Sequence, residues 1–388
     1  MIVVIIIFTL SVLVVFYAMV GYPMLLIILD KIKNPKGVVA DYSLEPSVTC
    51  MIVAHNEEKV IREKLENALT LDYPVKKFEI LVASDNSTDE TNTIVETFIA
   101  EHPEREIRLY CSQEHKGKTN AQNEAQKTVK SEILVMTDAN TILNKDAIRE
   151  LVSYFTSDDI VYVCGKLVYS NTDDFTTSDS ESTYWNIDLK MRDIESRFQS
   201  ITAGNGAIYA CRNNEYVDFE PVKCHDSAMP LYYGLHRKRA VFNSKAIAIE
   251  KAGETNKDEF KRKVRMNRII LSTLKDSLKT VNIFKLKWFS IFYFGHRACR
   301  YLLWLAHLLA FITSVVMAWL GSKFGAVSTV LQLIWVVITI LQMHSSVKNR
   351  LIRMIGYYGM TVLAQYVGIY RIITGKAKPT WETAESTR

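Results

Sequence analysis

The side chains best suited to chemistry in this chain are three aspartates and a lysine-rich turn. Asp138 ends the apolar run Ile133-Leu134-Val135-Met136-Thr137, and Asn140 follows two positions later. The run reads as a short buried strand. In an open α/β sheet, ligands bind just beyond the carboxyl ends of the strands. An aspartate there, with a second oxygen-bearing side chain two positions on, can hold a hard divalent cation. Mg²⁺ and Mn²⁺ take oxygen ligands, and Mg²⁺ keeps waters and substrate phosphates in its shell. Asp138 and Asn140 thus read as half of a metal site whose other half is a diphosphate. A carboxylate at that place can also simply cap the following helix. Asp85 closes another apolar run, Lys116-Gly117-Lys118 falls between the two aspartates, and Asp226 stands in a later polar turn.

The elements that must position these groups follow from the pattern. Val48 to Ala54 reads as a first strand, followed by His55-Asn56-Glu57-Glu58 and a helix to about Leu71 that stops before Pro74. Phe78 to Ala83 is a second strand, ending in the capping-rich turn Ser84-Asp85-Asn86-Ser87-Thr88-Asp89. A helix through Ile94 and Phe98, a strand Ile107 to Cys111 and a helix from about Thr119 to Val129 lead back to the strand that carries Asp138. This alternation predicts a mostly parallel sheet with helices on both faces. Beyond it come a helix (Ala147 to Phe155), a strand (Ile160 to Cys164) and a polar loop (Ser170 to Ser182). A helix (Tyr184 to Phe198, with Trp185 as packing or a sugar platform) and the turn Gly204-Asn205-Gly206 entering a strand follow. His225-Asp226 precedes a helix starting near Ser227, and Ala240 to Glu250 is a late strand.

Composition narrows the class. The net charge of +5 is too small to argue for nucleic acid, although six of the positive side chains crowd into Lys257 to Arg268. Six cysteines include no CxxC pair, and Cys50, Cys111 and Cys164 sit in or at the end of apolar runs, as reduced core residues do. Met1 to Leu29 is almost wholly apolar, long enough to span a bilayer, and followed by Lys31, Lys33 and Lys36, which place its carboxyl end in the cytoplasm. Tyr301 to Leu320, Val327 to Met343 and Ile355 to Tyr370 are further candidate spans, and Phe284 to Arg300 suits a helix lying in the membrane interface. The expected division is an anchor over 1–30, a cytosolic catalytic domain over 31–280, and an interfacial helix with membrane segments over 281–388.

The order of these features resembles glycosyltransferase family 2, the inverting enzymes of the GT-A fold. The strings that carry the resemblance are VTCMIVAHNEE, ILVASDNSTDET, HKGKTNAQNEA, VMTDANTIL, ITAGNGAIYACR, CHDSAMPL and EFKRKVR, from about Pro46 to Arg268. The flanking membrane segments resemble the branch that includes hyaluronan, cellulose and poly-N-acetylglucosamine synthases. The resemblance implies a Rossmann-like GT-A domain between transmembrane helices. Asp85 would hydrogen-bond the uracil of a UDP-sugar, and Ala54, Asn56 and Glu57 would line the nucleotide pocket, with His55 where the family has tyrosine. Lys116 and Lys118 would offset diphosphate charge. Asp138 and Asn140 match the family DxD with the second carboxylate replaced, and would hold Mg²⁺ or Mn²⁺. Asp226 matches the general base, its family neighbours Thr and Glu replaced by Cys224 and His225. Gly204, Asn205 and Gly206 match the acceptor-side turn. Arg262 and Arg265 stand in the place of the QxxRW motif, of which only Arg265 fits.

The same resemblance implies an integral membrane enzyme, in the plasma membrane with its catalytic domain cytosolic. It would extend a β-linked glycan from a UDP-sugar, in contact with membrane lipid. The alternative is transfer of one sugar to a polyprenyl-phosphate or other lipid-linked acceptor. So few spans leave room for a homo-oligomer or an export partner. A sugar nucleotidyltransferase would open with a glycine-rich phosphate loop after the first strand, and AHNEE contains no glycine. A scaffold with a decayed transferase domain would not need Asp85, Asp138 and Asp226 together.

Overall fold

The structure, a computed structural model, describes residues 1–170, 176–251, 255–344 and 349–377. The chain divides into two compact units, one built from residues 35–171 and 192–252, the other from residues 1–34, 172–191 and 253–377.

The first unit is organised on a mixed sheet that, among the described residues, has eight strands. They are β1 (Val48–Ala54), β2 (Phe78–Ser84), β3 (Ile107–Cys111), β4 (Ile133–Asp138), β5 (Thr141–Leu143), β6 (Ile160–Tyr169), β7 (Ile208–Arg212) and β8 (Arg239–Glu250). Their spatial order is β3-β2-β1-β4-β7-β6-β8-β5. β3, β2, β1 and β4 are mutually parallel. β7 runs antiparallel to both β4 and β6. β1 and β2 are buried at every residue, as a parallel strand covered on both faces must be. The chain winds outward from β1 to β3, then returns to place β4 on the other side of β1. That reversal opens a crevice beyond the carboxyl ends of β1 and β4. In register, Asp138 stands beside Val53, and Ser84 beside Ala54. The sequence pattern thus puts the ends of β1, β2 and β4 on one rim.

Several elements depart from the sequence pattern. Helix Thr176–Phe198 begins within the stretch expected to be a polar loop, of which residues 171–175 lie outside the described part. Polar residues can form a helix when only part of its surface is covered, so polarity alone misreads this stretch. The Trp185 side chain also lies outside the described part. Cys50 and Cys164 are buried as expected, but Cys111 is exposed because β3 is the edge strand and Cys111 is its last residue. The helix expected near Ser227 begins at His225, with Cys224 as N-cap, so Asp226 lies in its first turn and not ahead of it.

In the second unit, the N-terminal helix Ile2–Lys33 and the helix Lys323–His344 are long and apolar enough to cross a membrane. A third span results if Trp288–Tyr301 and Leu303–Trp319, bent by 55°, count as one. The expected interfacial helix over 284–300 is interrupted at Lys287, in the left-handed region at φ 55°, which separates Ile283–Leu286 from the helix Trp288–Tyr301. Arg350–Ile373 is one helix, but not among the apolar spans: Arg353, Gln365 and its tyrosines lower its hydropathy. Two buried carboxylates in this unit are paired. Asp188 takes His296 Nε2 at 2.8 Å and Arg300 at 2.9 Å. The buried Glu259 takes Arg262 at 2.6 Å, Lys263 at 3.3 Å and the Tyr357 hydroxyl at 3.1 Å. Burial works to raise its pKa, but the charges and hydrogen bonds of Arg262 and Lys263 outweigh it and hold the carboxyl below its ordinary range.

Candidate active site

At the end of β2, Asp85 is fully buried. Its carboxylate accepts the backbone N–H of Lys116 at 3.1 Å and of Gly117 at 2.8 Å, and lies 2.8 Å from His115 Nδ1. Asp85 therefore fixes the 115–117 turn. Gly117 has φ 99° and ψ 162°, a conformation open essentially only to glycine. His55 rests on the same platform: Nδ1 meets the Asp85 carbonyl at 2.8 Å, and its ring stacks on His115 with centroids 3.8 Å apart. Burial, ahead of the neighbouring charges, holds the His55 imidazole below its ordinary pKa. Ala54 is buried, and its carbonyl takes the Asp85 N–H at 2.9 Å. Asn56, in the left-handed region at φ 54°, is bonded to the opposite turn through Ser87 and Thr88. The backbone N–H of the buried Glu57 donates to the Thr91 hydroxyl oxygen at 2.8 Å. These residues build one rigid wall at the rim of β1 and β2.

The second group of residues lies at the end of β4. Lys118, the first residue of helix Lys118–Gln126, directs its ammonium onto the Asp138 carboxylate. Burial works to lower its pKa, but Asp138 and then Asp226 outweigh it, and the net shift is upward. Lys116 turns outward and pairs with Glu114 at 3.0 Å, so its contribution to the wall is its backbone. Gly206 marks where the groups converge. A methyl group there would stand 3.1 Å from Lys118 Nζ, 3.7 Å from Asp138 Oδ2 and 3.9 Å from Asp226 Oδ2. The three side chains thus surround a cradle kept open by the missing side chain. Gly204 has a different reason to be small: a Cβ would collide with the Tyr162 hydroxyl. Its N–H also donates to the Asp226 carbonyl at 2.7 Å, tying the turn to the helix that carries Asp226. Asn205 is buried and its side chain is taken up in the turn, donating to the Gly165 carbonyl at 2.7 Å and accepting from Ala207 and Ile208 at 3.1 Å each. Arg262 and Arg265 belong to the other unit, on helix Asn256–Met266, where Arg262 holds Glu259.

Asp138 and Asn140 offer the oxygen donors a hard cation takes, beside an open cradle, so they fit Mg²⁺ or Mn²⁺. Three supporting residues escape sequence reasoning. Lys64 is fully buried and reaches Thr137 Oγ1 at 2.9 Å and the Thr141 carbonyl at 2.5 Å, bracing both ends of the Asp138–Asn140 loop. Burial lowers its pKa to about 8. His225 is bound through both ring nitrogens, to Gln122 and to the Tyr216 hydroxyl at 2.9 Å each, so it orients the first turn that carries Asp226. Glu250 meets Asn140. Lys64 falls on the buried face of its helix by spacing, which is the one signal in the sequence that finds it.

Residues 49–213 match the family described as glycosyl transferase family 2. The sheet unit carries a family 2 glycosyltransferase domain. Among relatives, a beta-monoglucosyldiacylglycerol synthase of Synechocystis is 33% identical over 112 residues, 29% of this chain and 23% of that protein. A poly-beta-1,6-N-acetyl-D-glucosamine synthase of Staphylococcus epidermidis is 29% identical over 110 residues, 28% of this chain and 26% of its own. The matched stretch therefore spans about a quarter of those relatives' length. A mannosyltransferase from Pyrobaculum calidifontis, solved with GDP-Man and Mn²⁺, superposes with a TM-score of 0.73 at 19% identity, over 95% of this chain and 99% of the other. That likeness bears on fold: the glycosyltransferase domain is GT-A.

Proposed function

We propose that the chain is a membrane-embedded inverting glycosyltransferase that moves a sugar from a UDP-sugar to a growing β-linked glycan. The observation that carries this reading is the convergence of Lys118, Asp138 and Asp226 on the cradle at Gly206, next to the wall built around Asp85. Asp85 with Ala54, Asn56 and Glu57 would hold the nucleotide. Asp138 and Asn140 would hold the divalent cation, which when bound neutralises charge on the departing diphosphate. Lys118 would meet the same charge from the other side. Asp226 would take the proton of the acceptor hydroxyl as that oxygen attacks the anomeric carbon. The bond from that carbon to the phosphate oxygen breaks, its electron pair leaves with UDP, and configuration inverts in a single displacement. No covalent sugar–enzyme intermediate is needed. Gly204, Asn205 and Gly206 would shape the acceptor side.

The lysines after the first apolar helix support a cytosolic catalytic region, where nucleotide sugars reside. In the proposed division, residues 1–30 anchor the chain, residues 31–280 form that region, and residues 281–388 meet the membrane. The second reading, one sugar to a lipid-linked acceptor, is favoured by the match to a glucosyldiacylglycerol synthase.

The deciding experiment is a donor panel with product sizing, run beside Asp226→Asn. Asparagine keeps the side-chain shape but takes no proton at neutral pH, so turnover is expected to fall by about 10²–10⁴, with UDP binding little changed. Asp226 lies in the first turn of its helix, whose N-cap is Cys224, so it does not stand at the capping position. Near-normal turnover in this variant leaves the base elsewhere.

A further inference from the structure

The cation site has a charge deficit. Asp138 is the only carboxylate in the pair Asp138–Asn140, and Lys118 already sits on it. Lys64 braces the same loop from below and interacts electrostatically with Asp138. Two ammonium groups therefore face two carboxylates, Asp138 and Asp226. Such a set is neutral, and cation affinity follows the charge of its ligand set.

Glu250, at the last position of β8, changes this balance. Asn140 Nδ2 donates to Glu250 Oε1 at 2.9 Å. Strand pairing enforces the contact, because Thr141, the first residue of β5, stands opposite Glu250 in β8. A carboxylate only accepts, so the Asn140 amide must turn its NH₂ group towards Glu250 and its carbonyl Oδ1 away from it. The amide is thereby set as an oxygen ligand with a fixed direction. Partners of this kind, one bond removed from the metal, orient ligands and raise their donor strength.

We propose that Glu250 is the positioning residue of the cation site: it presents Asn140 Oδ1 as a ligand and restores the negative charge absent from position 140. This rests on the cation role of Asp138. The pair Asn140–Glu250 then does together what a single aspartate does elsewhere, with the charge moved one side chain outward.

The test is Mn²⁺ affinity of the full chain in detergent with UDP present, read as free Mn²⁺ by electron paramagnetic resonance. Glu250→Gln keeps size and a hydrogen-bond acceptor but removes the charge; it is expected to weaken Mn²⁺ binding about 10–100-fold, with an unchanged melting temperature. The swap Asn140→Asp in the Glu250→Gln chain returns one carboxylate and one amide to the pair, and is expected to bring affinity back to near the wild-type level. Wild-type affinity in Glu250→Gln overturns the proposal, as does a folded double variant that binds no better than Glu250→Gln. Asp138→Ala separates the two readings. Loss of binding there with none in Glu250→Gln removes only the part of Glu250. Undiminished binding in Asp138→Ala removes the cation site itself.

Discussion

Gly206→Ala isolates the chemistry of the cradle from folding and from nucleotide binding. The new methyl group would sit 3.1 Å from Lys118 Nζ and at ordinary contact distances of 3.7 and 3.9 Å from the two carboxylate oxygens. The tight contact is with the far end of a flexible lysine, which can move a few tenths of an ångström while keeping Asp138 as its partner. Gly206 has no left-handed φ, so alanine brings no backbone strain. The melting temperature should therefore stay close to that of the wild type. The methyl group does occupy the space between the proton acceptor and the charged pair. Reacting atoms must lie about 3–3.5 Å apart, and a displacement of about 1 Å costs on the order of 10² in rate, or about 3 kcal/mol of transition-state stabilisation. UDP release should fall by that factor in a detergent assay, while UDP affinity by calorimetry should hold, since Asp85 and its turn are untouched. Turnover within about threefold of wild type, at a normal melting temperature, would refute the placement of the reaction at Gly206.

Asp138→Ala should abolish metal-dependent activity, whereas Asn140→Ala should only weaken it; a fully active Asp138→Ala enzyme in excess chelator contradicts the metal assignment. Burial first, with the charge of Lys118 adding to it, lowers the His225 imidazole from 6.5 to about 3. The unfolded chain then takes up a proton that the folded one refuses, so this contribution to stability is complete above pH 6.5 and is lost as pH falls towards 3. At about 1.4 kcal/mol per pH unit it amounts to a few kcal/mol, so a melting series from pH 7.5 to 4.5 should slope steeply, and a folded His225→Gln variant should slope less; parallel slopes contradict the assignment. In right-side-out vesicles, protease added outside should leave residues 170–182 uncut, and cleavage there reverses the proposed orientation.

The parallel half of the sheet was legible because β1, β2 and β4 are mainly apolar runs closed by turn motifs. Asp85 and Asp138 could be placed at strand ends for the same reason. What the sequence could not carry is pairing between distant segments. β5 is three residues long, too short to show a period, and its partner β8 lies more than a hundred residues later; the contact of Asn140 with Glu250 depends on that pairing. His225 read as a lost family glutamate, yet its place is filled by a buried imidazole tied to Tyr216 and Gln122. The pattern starts the next helix near Ser227; it begins at His225, so Asp226 lies inside its first turn.

The ammonium of Lys118 on Asp138 has a consequence for the order in which ligands assemble. The pair is an internal counterion: the fold closes without any metal, since the carboxylate is already neutralised. On the proposed cation role of Asp138, a divalent cation arriving alone must displace that ammonium and leave it only Asp226 as a carboxylate neighbour in the cradle, which lowers the affinity for the cation. A diphosphate arriving with the cation supplies the anion, and the lysine transfers from carboxylate to phosphate without passing through an unpaired state. On the proposed reading, metal and nucleotide bind with positive coupling, and by reciprocity each raises the affinity of the other by the same factor.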